Sequence, residues 1–197
     1  IGFGYTFSDP DGLTDTGVMS IQFLGANTAP GITGGLAIAI DEGTTSTLTT
    51  ADLDGTDVDD IDGTLVFTVT TGPANGIVVV DGAEATSFTV QQLRDGLVTY
   101  GHDGSETTSD TIELLLADGG EFPGGATSVT ATLNVTVTAI NDDPTATGLP
   151  VSVSISEDAE GSVLISSFQI DDVDAGSSEV TVTFTADTGS IIVTGGA

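Results

Sequence analysis

The 197-residue chain contains no cysteine, no tryptophan and one histidine, and a single arginine, Arg94, is its only Lys or Arg. Against that one cation stand 30 acidic side chains, for a formal net charge of −29. Nucleic acid is excluded as a partner, because phosphate recognition needs clustered Lys and Arg. Adhesion to anionic lipid is excluded for the same reason. Without cysteine there are no disulfides, no thiol chemistry and no Cys-based zinc or iron–sulfur site. Long apolar runs are missing too: stretches such as Ile77–Val80 and Leu36–Ile40 fall far short of the ~20 residues of a membrane span, so no direct membrane insertion is expected. No signal peptide is visible, since Ile1 opens directly on a strand-like pattern and residues 191–197 stop inside another. Both ends read as cut from a longer protein.

What is present is a folded core in an anionic shell. Hydrophobic residues make up 38%, too many for an acidic disordered tail. Apolar residues alternate with Thr, Ser and other small residues at Leu36/Ile38/Ile40, Leu65/Phe67/Val69, Ile112/Leu114/Leu116, Leu133/Val135/Val137, Val151/Val153/Ile155 and Val180/Val182/Phe184. Period two over five to seven residues marks a half-buried strand. Gly, Asp, Asn and Pro punctuate these runs every 8–12 residues, which favours an antiparallel β-sandwich. The fold class is all-β.

The chain also repeats. Asn27-Thr28-Ala29-Pro30 returns as Asn141-Asp142-Asp143-Pro144 at an offset of 114, and Ile40-Asp41-Glu42 returns as Ile155-Ser156-Glu157 at 115. Asp57-Val58-Asp59 returns as Asp172-Val173-Asp174, also at 115, and Met19, Ile21 and Phe23 match Leu133, Val135 and Val137. A near-constant offset across unrelated patterns defines a tandem unit. Residues 1–29 are then closing strands of one unit, 30–143 a complete unit, and 144–197 the opening of the next.

The carboxylates cluster. Asp52, Asp54, Asp57, Asp59, Asp60 and Asp62 fall within eleven residues, with further groups at Asp103/Glu106/Asp110, Asp142/Asp143 and Asp171/Asp172/Asp174. Two carboxylates ~5 Å apart repel by roughly 3 kcal/mol at an effective dielectric of 20. One arginine cannot relieve so many, which leaves water, protons or a divalent cation, and hard oxygen donors suit Ca²⁺. In an Asp-x-Asp pair on extended backbone, both side chains point one way and reach one ion. The EF-hand template fails: with Gly55 at its glycine, Ile61 stands where Glu is required.

Residues 85–118, and above all Leu97-Val98-Thr99-Tyr100-Gly101-His102-Asp103-Gly104-Ser105-Glu106, resemble the chondroitin-sulfate-proteoglycan type repeat, a cadherin-like domain of large bacterial surface proteins. Asp172-Val173-Asp174-Ala175-Gly176 is similar to the sister cadherin-like repeats of RTX-type adhesins. The resemblance implies tandem Greek-key sandwiches joined by short linkers, with calcium ions at the junctions and neighbouring repeats as partners. Carried over by position, Glu42, Asp103, Glu106, Asn141, Asp142, Asp143, Asp172 and Asp174 would serve the second junction. Asn27, Asp57, Asp59 and Asp118 would serve the first, with Asp9 in the place of Asp118 in the leading unit. At the first linker Thr28 and Ala29 replace the acidic pair, so a weaker site and a more flexible joint are expected there.

A lone His102 can build neither a nucleophilic triad nor a zinc site; it and Arg94 read as local hydrogen-bonding and salt-bridge residues. Paired carboxylates could serve a glycosidase, yet the absence of Trp and the presence of only two Tyr leave no sugar-stacking cleft. The sequon at Asn134-Val135-Thr136 falls mid-strand, and outward Thr-x-Thr steps are ordinary strand surface. The expectation is a non-catalytic, calcium-rigidified extender of a secreted cell-surface adhesin. The alternatives are a subunit of an extracellular filament, sheath or virion appendage, assembled with other copies, and a glycan-binding module. The last would need an exposed aromatic platform, whereas Tyr5 and Tyr100 are both expected in core strands.

Overall fold

The computed structural model describes residues 2–21, 25–120, 124–149, 168–185 and 187. The chain divides into two compact units, Ile1–Thr138 and Ala139–Ala197. The first opens with a hairpin, β1 (Gly2–Ser8) and β2 (Thr14–Ser20). There follow β3 (Gly31–Thr33), β4 (Ala37–Asp41), β5 (Thr45–Thr47), β6 (Asp54–Thr56) and β7 (Val66–Thr71). Next come β8 (Gly76–Val80), β9 (Ala83–Glu84) and β10 (Ser87–Thr89). A one-turn helix, α1 (Val90–Arg94), precedes β11 (Val98–His102), β12 (Ser109–Ala117) and β13 (Ser128–Thr138). The second unit holds β14 (Thr145–Thr147) and β15 (Gln169–Asp171).

Two sheets enclose the core: β10-β7-β12-β13-β4 and β5-β11-β8-β9, with β3 and β6 paired separately. The alternating residues read from the sequence face inward. Ile38, Ile40, Leu65, Phe67, Ile112, Leu114, Leu116, Leu133, Val135 and Val137 are all buried, with Phe88, Leu93, Val98 and Tyr100. Phe67 and Phe88, directly opposite on β7 and β10, stack at 5.2 Å. The β8–β9 hairpin turns on Asp81-Gly82 with φ of 50° and 80°, the two positive values a two-residue type I′ turn needs. Strand β4 runs parallel to β13. A sandwich whose first and last strands run the same way takes its chain in at one end and releases it at the other, which suits serial extension.

Two expectations are corrected, for Val180, Val182 and Phe184 and for the burial of Tyr5. The helix α1 opens on a reciprocal capping box between Thr89 and Gln92, Gln92 N donating to Thr89 Oγ1 at 3.1 Å and Thr89 N to Gln92 Oε1 at 2.9 Å. That S/T-x-x-E/Q signal stands in the sequence but heads only one turn. Val180, Val182 and Phe184 do not form a strand, because alternation supplies a face but not the partner whose backbone completes a ladder. The 151–155 pattern lies outside the described residues. Tyr5 is about half exposed rather than buried and meets Phe7 edge-on at 5.1 Å, since among the described residues β1 pairs only with β2 and a two-stranded ribbon has no second layer over this face.

Two buried polar side chains of the sandwich, His102 and Asp110, are matched by hydrogen bonds. His102 Nδ1 accepts from Gly43 N at 3.3 Å and Gly104 N at 3.2 Å, which places the ring proton on Nε2, 2.9 Å from Thr107 Oγ1. Asp110 accepts from the N–H groups of Ala74, Asn75 and Thr111 and from the Tyr100 hydroxyl at 3.1 Å. Burial alone would raise the Asp110 pKa, but these donors hold it below the ordinary value. Its stabilising effect is therefore full above the unfolded carboxyl pKa near ~4 and is lost as pH falls below it. Asp110→Ala strands three or more buried donors at ~1–3 kcal/mol each, whereas Tyr100→Phe removes one bond worth ~1 kcal/mol. Urea denaturation at neutral pH is expected to show Asp110→Ala at least twice as costly. Equal costs would contradict this account of the core.

Candidate metal centre

The six aspartates between Asp52 and Asp62 divide by task. Asp52 closes a turn, accepting from Thr49 N at 2.9 Å and Thr49 Oγ1 at 2.7 Å. Asp54 and Asp62 take the guanidinium of Arg94. Asp57, Asp59 and Asp60, at the tip of the loop after β6, have no cationic side chain beside them, since the chain's one arginine is engaged.

These three meet Asn27 and Asp118. Single carboxylate oxygens of Asp57, Asp60 and Asp118 lie within 4.8 Å of one another. Asp59 accepts Thr28 N at 3.0 Å and gives its own N–H to Asp57 Oδ1 at 3.0 Å. Asn27 Nδ2 donates to Asp118 Oδ2 at 3.1 Å and to Gly125 O at 2.8 Å, which turns its carbonyl oxygen away from both. Four oxygens here are buried without a hydrogen-bond partner: Asn27 Oδ1, Asp57 Oδ2, Asp59 Oδ1 and Asp60 Oδ2. Buried acceptors of this kind are costly unless something electropositive meets them. The donor set is hard, all-oxygen and anionic, and fits Ca²⁺ rather than a softer metal.

Asp118 differs from the rest. It is buried and accepts four hydrogen bonds, from Gly120 N, Thr127 N, Thr127 Oγ1 and Asn27 Nδ2, about all a carboxylate can take. The Thr127 hydroxyl leads in holding its pKa below the ordinary value. Its work is to close the turn between β12 and β13 and to orient Asn27. Asp9 likewise closes the turn of the leading hairpin, accepting from Asp11 N at 3.0 Å and Leu13 N at 2.8 Å.

The second unit rebuilds the same linker–loop contacts. Asp142 N donates to Asp174 Oδ2, and Asp174 N to Asp172 Oδ1 at 3.1 Å, matching Thr28 N to Asp59 and Asp59 N to Asp57. The β14–β15 pair repeats β3–β6 at the same offset. Asn141 Nδ2 reaches Asp142 O at 3.0 Å, and Asp143 is exposed beside it. In the first unit, Glu42 is buried at the end of β4, with a carboxylate oxygen within 4.8 Å of one of Glu106. Asp103 instead turns onto Ser105 N at 3.0 Å, and that hydrogen-bonding holds its pKa down.

Sequence reasoning missed Asp60. Counting only linker acids made the first site look poor, but Asp60 adds a loop carboxylate where the second copy has Ala175, and the second copy adds Asp142 and Asp143 where the first has Thr28 and Ala29. The signal was the unequal count of acids at equivalent positions of the two loops.

The cadherin-like family profile matches residues 30–137. The chain belongs to the cadherin-like family. It is similar to human chondroitin sulfate proteoglycan 4, at 34% identity over 54% of this chain. Extracellular matrix protein 3 of the sea urchin Lytechinus variegatus is 34% identical over 42% of it, and human extracellular matrix organizing protein FRAS1 28% identical over 84%. The match spans only 3–4% of the length of these relatives. Among solved structures, human protocadherin-24 EC1-2 is 16% identical with a TM-score of 0.42, covering 70% of this chain and 66% of that one.

In this cadherin-like domain the Asp57–Asp59 pair carries a titration signature. Facing each other, Asp59 is pushed above the ordinary carboxyl value and Asp57 held below it, chiefly because a proton on Asp59 makes a hydrogen bond to the Asp57 carboxylate. A raised pKa in the fold favours folding at low pH and is lost as pH rises through that value. A bound cation reverses this by replacing the proton. Calcium affinity measured by calorimetry is therefore expected to rise with pH through the Asp59 titration and then level off. Asp57→Asn is expected to lower affinity by about tenfold or more and flatten the profile. A pH-independent affinity would contradict the assignment.

Proposed function

We propose that this chain is a calcium-rigidified extender segment of a large repetitive, secreted cell-surface adhesin, structural and non-catalytic. One observation carries the reading: four buried oxygens from linker and loop lack hydrogen-bond partners at a point where the chain's one arginine is engaged elsewhere. A hard divalent ion there removes two charges of repulsion and ties the linker residue Asn27 to the loop of the sandwich it leads into. The rigidity of the joint then depends on the ion rather than on packing.

Three features support the extracellular, repetitive setting. The relatives' names speak of extracellular matrix and proteoglycan. Parallel β4 and β13 suit end-to-end stringing. The linker and loop hydrogen bonds recur at the repeat offset. The finer assignment, to an RTX-type bacterial surface adhesin, draws on the Asp172–Gly176 stretch and on an acid excess that suits saline, calcium-rich surroundings.

A glycan-binding module gains one observation, the exposed stripe Phe3, Tyr5 and Phe7 on β1. Register counts against it. Phe3 pairs with Met19, Tyr5 with Gly17 and Phe7 with Asp15, just as Ile112 pairs with Leu133, Leu114 with Ala131 and Leu116 with Val129. The latter stripe is the buried core face of the sandwich, which supports reading the aromatic stripe as the same face of a leading repeat.

Thermal unfolding of the chain in millimolar calcium and then in EGTA tests the proposal. The expected result is a melting point several degrees lower after chelation, since a ligand at about 100 times its Kd adds ~2.7 kcal/mol. A melting point indifferent to chelation would remove the metal and leave a β-rich spacer.

A further inference from the structure

The single arginine of an otherwise anionic chain occupies a particular place. Arg94 ends α1, and its guanidinium grips Asp54 with two bonds, Nε to Oδ1 at 3.0 Å and Nη2 to Oδ2 at 3.1 Å. Its Nη1 reaches Asp62 Oδ2 at 2.5 Å, and Nη2 also donates to Gly55 O at 3.0 Å. Asp54 and Asp62 stand at the two ends of the loop whose tip carries Asp57, Asp59 and Asp60. One planar fork thus ties both stems of the acidic loop to one helix end, a task for which a lysine's point charge lacks the geometry.

The surroundings fit a built platform. Gln91 N donates to Asp62 O and Val90 N to Leu65 O, both at 3.0 Å, so α1 braces the far stem through backbone as well. On the near stem a Cβ on Gly55 would fall 2.7 Å from Val90 Cγ2 and 2.9 Å from Leu116 Cδ2, so only glycine lets β6 lie this close to the helix. In the second copy, Gln169 and Ser177 stand where Asp54 and Asp62 stand in the first. The clamp therefore belongs to this loop alone.

Resting on the calcium reading above, we infer that Arg94 is a positioning residue for the cation site: it fixes both stems of the loop and, by neutralising Asp54 and Asp62, leaves Asp57, Asp59 and Asp60 as the acids that face the ion. The sign of its effect on affinity distinguishes this from simpler roles. A cation that acted only through its charge would repel Ca²⁺, and its removal would tighten binding. A cation that only stabilised the fold would change the melting point and leave affinity alone. A positioning cation loosens binding when removed, although a positive charge has been taken away.

The test is calorimetric titration of the whole chain with CaCl₂ for wild type, Arg94→Met and Arg94→Lys, with Asp57→Asn identifying the heat that belongs to this loop. Metal-free stability is followed in parallel by urea denaturation. The expected result is a fall in affinity of about 10- to 100-fold at the loop site in Arg94→Met, and of about tenfold in Arg94→Lys, which keeps the charge and loses the fork. Should Arg94→Met not fold, Arg94→Lys carries the test alone. Unchanged or tighter binding in a folded variant would overturn the positioning role while leaving the calcium site standing. A wild type without any heat that Asp57→Asn abolishes would overturn both.

Discussion

Five aspartates in nine residues, Asp54 to Asp62, share one guanidinium. Arg94 satisfies the two at the stems, and the three at the tip converge with Asn27 and Asp118 at the end of a sandwich where no other Lys or Arg exists to answer them. That local shortage of positive charge constrains what the loop can do. Without a cation Asp59 is pushed above the ordinary carboxyl value and Asp57 held below it, and buried oxygens go unmet. With one, the linker is drawn to the loop.

The sandwich makes this local chemistry mechanical. Because β4 and β13 run parallel, the linker enters at one pole and the closing strand leaves at the other, and the acid loop sits beside the entering linker. The core of Phe67, Tyr100, Leu114 and Leu133 holds the poles at fixed separation without the ion. The ion's proposed contribution is confined to the joint, the one place where a string of rigid sandwiches can bend.

Strand identity was legible where period-two alternation survives, on β4, β12 and β13: Ile112, Leu114 and Leu116 could be read as a core face before any pairing was known. The repeat was legible for the same reason, and the linker–loop contacts recur where the offset puts them. Less legible were features set by partners. Tyr5 has the alternation of a core residue and lies exposed because β1 has one neighbour. Val180, Val182 and Phe184 have the pattern of a strand without its ladder. Asp118 joins the cluster with Asp57 and Asp60 and also accepts four hydrogen bonds that close its own turn, a second task that its position in the sequence does not reveal. Asp60 escaped notice because its second-copy counterpart, Ala175, carries no charge. The role of Arg94 required knowing that residues forty positions apart meet, which spacing alone does not reveal.

The central claim is that a hard divalent cation joins Asn27 to Asp57, Asp59 and Asp60. It is tested most directly by a crystal structure grown in calcium, with anomalous difference density measured at this cluster. The account predicts a peak with six to eight oxygen ligands at about 2.3–2.6 Å, drawn from these side chains, with the orphaned oxygens among them. Density without a peak, and with the three carboxylates turned outward into solvent, would contradict it.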